Sequence, residues 1–192
     1  MGCGGSKGGK GKVDLKINPT KIPEFDEMFD SLAEPLGMIA DLKDSVDKAQ
    51  AKFEKACHVG GINDHALKDA LWVMLTTCSA AVGGDFKALE ISFTMEPPFV
   101  EFDIKKVDAS VHDILNGFEA FVEACVAIGE KAEPLVDQIK EAVEKCAEFP
   151  GKAMDAAKDA DLGLIDGAMA VKNCASNIGK IGKAPKILAE LL

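Results

Sequence analysis

The chain has no arginine and no tyrosine among its 192 residues, only one tryptophan and only three histidines. Without arginine there is no planar fork to grip phosphates in pairs, and a formal charge of −10 repels nucleic acid, so nucleic-acid binding is not expected. No apolar run approaches the ~20 residues that a membrane-spanning helix needs. "LWVML" at 71–75 is among the longest. Glycines and lysines follow Met1 where a secretory signal would carry its apolar stretch. The six cysteines (Cys3, Cys57, Cys78, Cys125, Cys146 and Cys174) are therefore read as thiols of a cytosolic, reduced protein rather than as a disulfide framework. Four of the five in the body fall on apolar helix faces, where a thiol behaves as a small hydrophobe.

Residues for chemistry are equally sparse. His58 and His65 straddle a Gly-Gly break and match no metal-ligand spacing. Asp108 and His112 are four apart and read as a solvated helical pair. "DADLGLIDG" at 159–167 hints at a calcium loop, but glycine falls at its fifth position and Ala170 at its twelfth, which needs a bidentate glutamate. "GGSKGGK" lacks both the serine or threonine that would hold magnesium and a preceding strand. No serine or cysteine lies in a recognisable nucleophile turn. No enzyme, metal or bound cofactor is expected.

What is present begins with an unequal distribution of charge. Residues 1–21 carry Lys7, Lys10, Lys12, Lys16 and Lys21 against Asp14, a net of +4. The rest carries 17 lysines against 31 acids, a net of −14. A basic tail on an acidic body suits a tail that seeks anionic surfaces. Met1-Gly2-Cys3-Gly4-Gly5-Ser6 fits N-myristoylation at Gly2, with Cys3 beside it for palmitoylation. Such a start resembles those of dually acylated peripheral proteins. One myristoyl chain gives only marginal membrane residence, on the order of 10⁴ M⁻¹, so a second signal is needed. Cys3 and the lysines both supply one, each lysine adding roughly 1 kcal/mol at an anionic leaflet. The plainer reading, a flexible glycine-rich leader, leaves that coincidence unexplained. Residues 1–22 are thus expected to be a flexible, acylated anchor at the cytosolic face of a membrane, with covalent myristoyl and palmitoyl groups.

From Pro23 the pattern turns helical. Between 107 and 149, apolar or small residues recur from Val107 to Phe149 in steps of four and three without a miss, the seam of a coiled-coil-like helix. Pro134 lies inside it and predicts a kink. A similar stripe crosses 24–57 with Pro35 partway, and "AEPL" occurs at both prolines. Gly60-Gly61 should end that first helix, and Gly83-Gly84 a second that shows Leu67, Leu71, Met74 and Cys78. The final segment, roughly 151–190, is glycine-rich and prone to break. The stretch 88–105 instead alternates, with Leu89, Ile91 and Phe93 before a Glu-Pro-Pro corner and Val100, Phe102 and Ile104 after it.

The fold expected is mainly α: residues 23–192 as an elongated bundle of about four long helices, with one inserted β-hairpin or extended flap at about 88–105. Long seams and small-residue helices suit a self-associating scaffold or coat component, a homo-oligomer or the partner of another helical protein, held on the lipids of an anionic inner leaflet. The alternative is a carrier of a lipid or other apolar ligand, with Phe93, Phe99, Phe102, Phe118 and Phe121 around it. Leu89, Ile91, Phe93, Val100, Phe102 and Ile104 are candidate contacts under either reading.

Overall fold

The computed structural model describes residues 13–59, 65–81, 83–84, 92–93, 100–101 and 109–191. Among these residues the chain is mainly helical, with five helices: α1 (Pro23–Ala56), α2 (Ala66–Ala81), α3 (Ala109–Cys146), α4 (Phe149–Asp159) and α5 (Leu164–Leu191). Two short strands, β1 (Ser92–Phe93) and β2 (Val100–Glu101), pair antiparallel, Ser92 with Glu101 and Phe93 with Val100. Two residues a side are much less than the hairpin expected over 88–105, and the rest of that stretch lies outside the described residues. The chain divides into two compact units, one of residues up to Asp44 with those from Ile128 onward, the other Ser45–Ala127.

In the first unit α1 buries Phe25, Phe29, Leu32, Leu36, Ile39 and Leu42. The matching part of α3 buries Ile128, Ala132, Leu135, Ile139, Ala142 and Cys146 in the expected steps of four and three. Both helices continue through their prolines. Pro35 and Pro134, from the two AEPL tetrapeptides, line one groove together with Ser31 and Glu130. Proline has no N–H, so the carbonyls of those last two residues lose their usual helical donor beside that groove.

The seam was expected to reach Phe149 in one helix, but α3 stops at Cys146 and Phe149 opens α4 with Pro150 in its first turn. Proline there costs nothing at a helix start and terminates the helix before it. Phe149 stacks on Phe25 with ring centroids 4.3 Å apart and meets Phe29 edge-on at 5.7 Å. The final segment does break, between α4 and α5. Asp161 takes a left-handed φ of 51°, and the Leu162 N–H donates to the Ala157 carbonyl at 3.2 Å. This six-to-one closure satisfies a carbonyl that the helix end would otherwise orphan.

The second unit is built on Phe53, fully buried with Cys57, Ala70 and Ile114. Phe118 and Phe121 pack on it at 5.6 and 6.3 Å. Close approach is permitted by Gly117, where a Cβ would stand 3.1 Å from the Phe53 Cα. Cys125, expected in the seam, is exposed, and Ala124 is buried instead. α1 closes at His58 (φ 57°), not at Gly60-Gly61, with the Val59 N–H on the Glu54 carbonyl at 3.0 Å. α2 ends the same way at Gly83 (φ 63°), with the Gly84 N–H 2.8 Å from the Ser79 carbonyl.

Candidate interaction surfaces

Residues 13–22, expected to be part of a flexible tail, are instead docked. Leu15, Thr20 and Ile22 are buried. The Asn18 N–H donates to Asn177 Oδ1 (2.9 Å), and Asn177 Nδ2 donates back to the Asn18 carbonyl (2.7 Å). Asn173 Nδ2 donates to the Pro19 carbonyl (2.7 Å), and Lys180 Nζ donates to the Lys16 carbonyl. Lys21 Nζ lies 2.9 Å from Asp166 Oδ1. Partners advance from Asp166 to Lys180 as the strap recedes from Lys21 to Lys16, so it runs antiparallel to α5. Its exit into α1 is locked by Asp26, whose carboxylate accepts from the Thr20 N–H (2.6 Å), the Thr20 hydroxyl (2.7 Å) and the Lys21 N–H (2.9 Å). Thr20 and Lys21 precede the helix, so their N–H groups have no intrahelical acceptor. The Asp26 carboxylate supplies one, and its negative charge sits in the first turn, where the helix dipole favours it.

Of the residues expected to meet the membrane, Gly2, Cys3, Lys7, Lys10 and Lys12 lie outside the described residues. Lys16 is exposed and Lys21 is held by Asp166. Phe93 and Val100 face each other in the strand register; Leu89, Ile91, Phe102 and Ile104 lie outside the described residues.

Two exposed apolar surfaces have no distinguishing mark in the sequence. On α2, Trp72 is 68% exposed and Leu75 48%. With Thr76, Ser79, Ala80 and Gly83 they line a shallow groove at a spacing of three and one, one helical face opposite the buried Ala66, Ala70 and Cys78. At the α4–α5 corner, Leu164 is 92% exposed and Ile165 80%, with Met154 and Met169 also open. Amphipathic counting sees only apolar residues at such sites. It does not reveal that these side chains are left exposed.

Burial, and secondarily the neighbouring Cys78, pushes the Cys57 thiol up to about 11. Burial, and secondarily Cys146, does the same to Cys174. Cys57, Cys78, Cys146 and Cys174 are all buried. His112 Nδ1 is 2.7 Å from the Asn116 amide nitrogen, while Asp108 lies outside the described residues. Among the described residues no group of three or more histidine, cysteine or acidic side chains is placed to hold a metal ion, and no helix is long and apolar enough to cross a membrane. Compared with known protein families, with curated proteins and with solved structures, the chain matches none.

Proposed function

We propose that the protein is a lipid-anchored peripheral scaffold, acylated at Gly2 and Cys3, that self-associates on the cytosolic face of a membrane. The observation that carries the scaffold reading is the uncovered face of α2. A tryptophan 68% exposed beside a half-exposed leucine is the composition of an interface centre. Ser79, Ala80 and Gly83 continue that face with side chains small enough for a second helix to approach closely. A second copy of α2 is the simplest partner, since a two-fold contact needs one self-complementary patch. The stretch 88–105 is a second contact in this reading, with Leu89, Ile91, Phe93, Val100, Phe102 and Ile104 as its candidate contact residues.

The carrier alternative finds less support. Phe118 and Phe121 pack on Phe53, with ring centroids 5.6 and 6.3 Å away, so part of their apolar surface is already taken up by the second unit's own core. The groove at Pro35 and Pro134 holds about 560 Å³. It mixes apolar side chains such as Met28, Met38 and Leu135 with the charged Glu34, Glu130, Lys131, Glu141 and Lys145, a more highly charged lining than an acyl-chain site needs.

Sedimentation of the full chain across a concentration series tests the scaffold. The parent protein should show mass rising with concentration, and Trp72→Ser with Leu75→Ser should remain a helical monomer. Phe93→Ser with Phe102→Ser should weaken assembly in the same assay. A parent that stays monomeric and extracts with a stoichiometric lipid would establish the carrier instead.

A further inference from the structure

The body is acidic, yet from Gly167 to Ala189 there is no acid at all and there are four lysines: Lys172, Lys180, Lys183 and Lys186. This acid-free run lies within α5, which buries Ala170, Cys174, Asn177, Ile181, Ala184 and Leu188. At about 100° per residue, Ile165, Met169, Lys172, Ser176 and Lys183 fall within an arc of about 60° on the side turned away from that core. All five are exposed. Lys186 is exposed on the flank of the same arc, with Glu190 a loose 4.0 Å from its Nζ. The docked strap borders this face, and its Lys16 is exposed there too. Of the acids beside this face, Asp166 is paired with Lys21, Asp14 accepts the Lys16 N–H at 3.0 Å, and Asp159 and Asp161 are exposed at the α4–α5 corner.

We infer that the outer face of α5 is a second membrane-contacting surface, which lays the helix along a bilayer of anionic lipid. The inference rests on the membrane reading above and deepens it by naming which side of the first unit meets the lipid. Two observations select this occupant. First, an exposed lysine row with Ile165 and Met169 exposed in the same arc is the pairing that interfacial helices use, cations on headgroups and apolar side chains below them. Second, the strap meets α5 at Lys180, beside this same face, and Lys7, Lys10 and Lys12 lie within the twelve residues that precede the docked stretch in the sequence. Twelve residues reach at most about 40 Å, which keeps α5 near whatever surface holds Gly2.

The test uses the full chain carrying Gly2→Ala, which cannot be myristoylated, with Lys7, Lys10 and Lys12 changed to Gln so that the tail contributes no charge. Binding is measured by co-sedimentation with phosphatidylcholine vesicles, with and without phosphatidylserine, at low salt. Binding should require phosphatidylserine. Lys172→Gln, Lys183→Gln and Lys186→Gln together should weaken it about a hundredfold, at about fivefold per lysine. The comparison set, Lys131→Gln, Lys140→Gln and Lys145→Gln, removes equal charge from exposed sites on α3 and should weaken it far less. Equal losses in the two sets, no loss in the α5 set, or equal binding to both vesicle types would overturn the inference. Since the protein is unacylated throughout, the result is independent of whether Gly2 and Cys3 carry lipid.

Discussion

Asn177 and Asn18 hold each other by two hydrogen bonds, the side-chain amide of one meeting both backbone polar groups of the other at 2.9 and 2.7 Å. Asn177 is fully buried, so this pair fixes the strap to α5 where water cannot substitute. Asn177→Ala leaves the Asn18 backbone groups without partners and should cost about 1–3 kcal/mol. Amide hydrogen exchange should show it locally, with faster exchange at residues 13–20 than in α3.

Two glycines of α3 should respond in opposite directions to the same change. Gly117→Ala forces a Cβ to 3.1 Å from the Phe53 Cα, backbone that cannot swing aside, and overpacking of this kind costs about 1–3 kcal/mol. Gly129→Ala meets nothing within 4 Å and should stabilise the helix by about 0.5–1 kcal/mol. Thermal unfolding of the two variants reads both signs.

Ile139 is fully buried in the seam while Lys140 beside it is exposed. Ile139→Asp places an unpaired charge in the core and should cost more than about 4 kcal/mol, and Lys140→Gln less than about 0.5. Circular dichroism melting curves of the pair check the helix phase.

That phase is legible in the amino-acid sequence because a seven-residue repeat survives both a proline and changes of residue type. Pro134 and Pro35 remove one hydrogen bond each without rotating the stripe, so Leu36, Ile39, Leu135 and Ile139 are buried where the periodicity puts them. The strap is not legible. Six glycines and five lysines make up about half of the first 21 residues and make the segment read as a tail, although Leu15, Thr20 and Ile22 are core residues. The one local signal is Asp26, placed to close back on Thr20. The end of α3 is hidden for a different reason: Phe149 keeps the period and is itself packed, but it does so from a new helix. The open faces at Trp72 and Leu164 depend on which neighbours are absent, and a single sequence does not encode that locally.

The buried thiols predict a pH dependence. Cys57 and Cys174, pushed up to about 11 by burial, hold their protons in the folded state over a range where the unfolded chain, near 9, has released them. Native protein then binds more protons than unfolded protein, so stability is complete below about pH 9 and falls as the pH rises toward 11. Urea midpoints should decline across that window, and Cys57→Ala with Cys174→Ala should flatten the decline while lowering stability at neutral pH. Under native conditions a thiol reagent should label exposed Cys125 well before Cys78 or Cys146, as peptide mapping would show.

The account stands on a membrane anchor at Gly2. Its most direct test is fractionation of cells expressing the full chain or its Gly2→Ala variant, with intact mass measured on the membrane-bound protein. The account predicts that the parent sediments with membranes carrying an acyl chain on Gly2, that Gly2→Ala moves to the soluble fraction, and that Cys3→Ser leaves weaker, salt-sensitive binding. A Gly2→Ala variant distributed like the parent, or a membrane-bound parent with an unmodified Gly2, would contradict it.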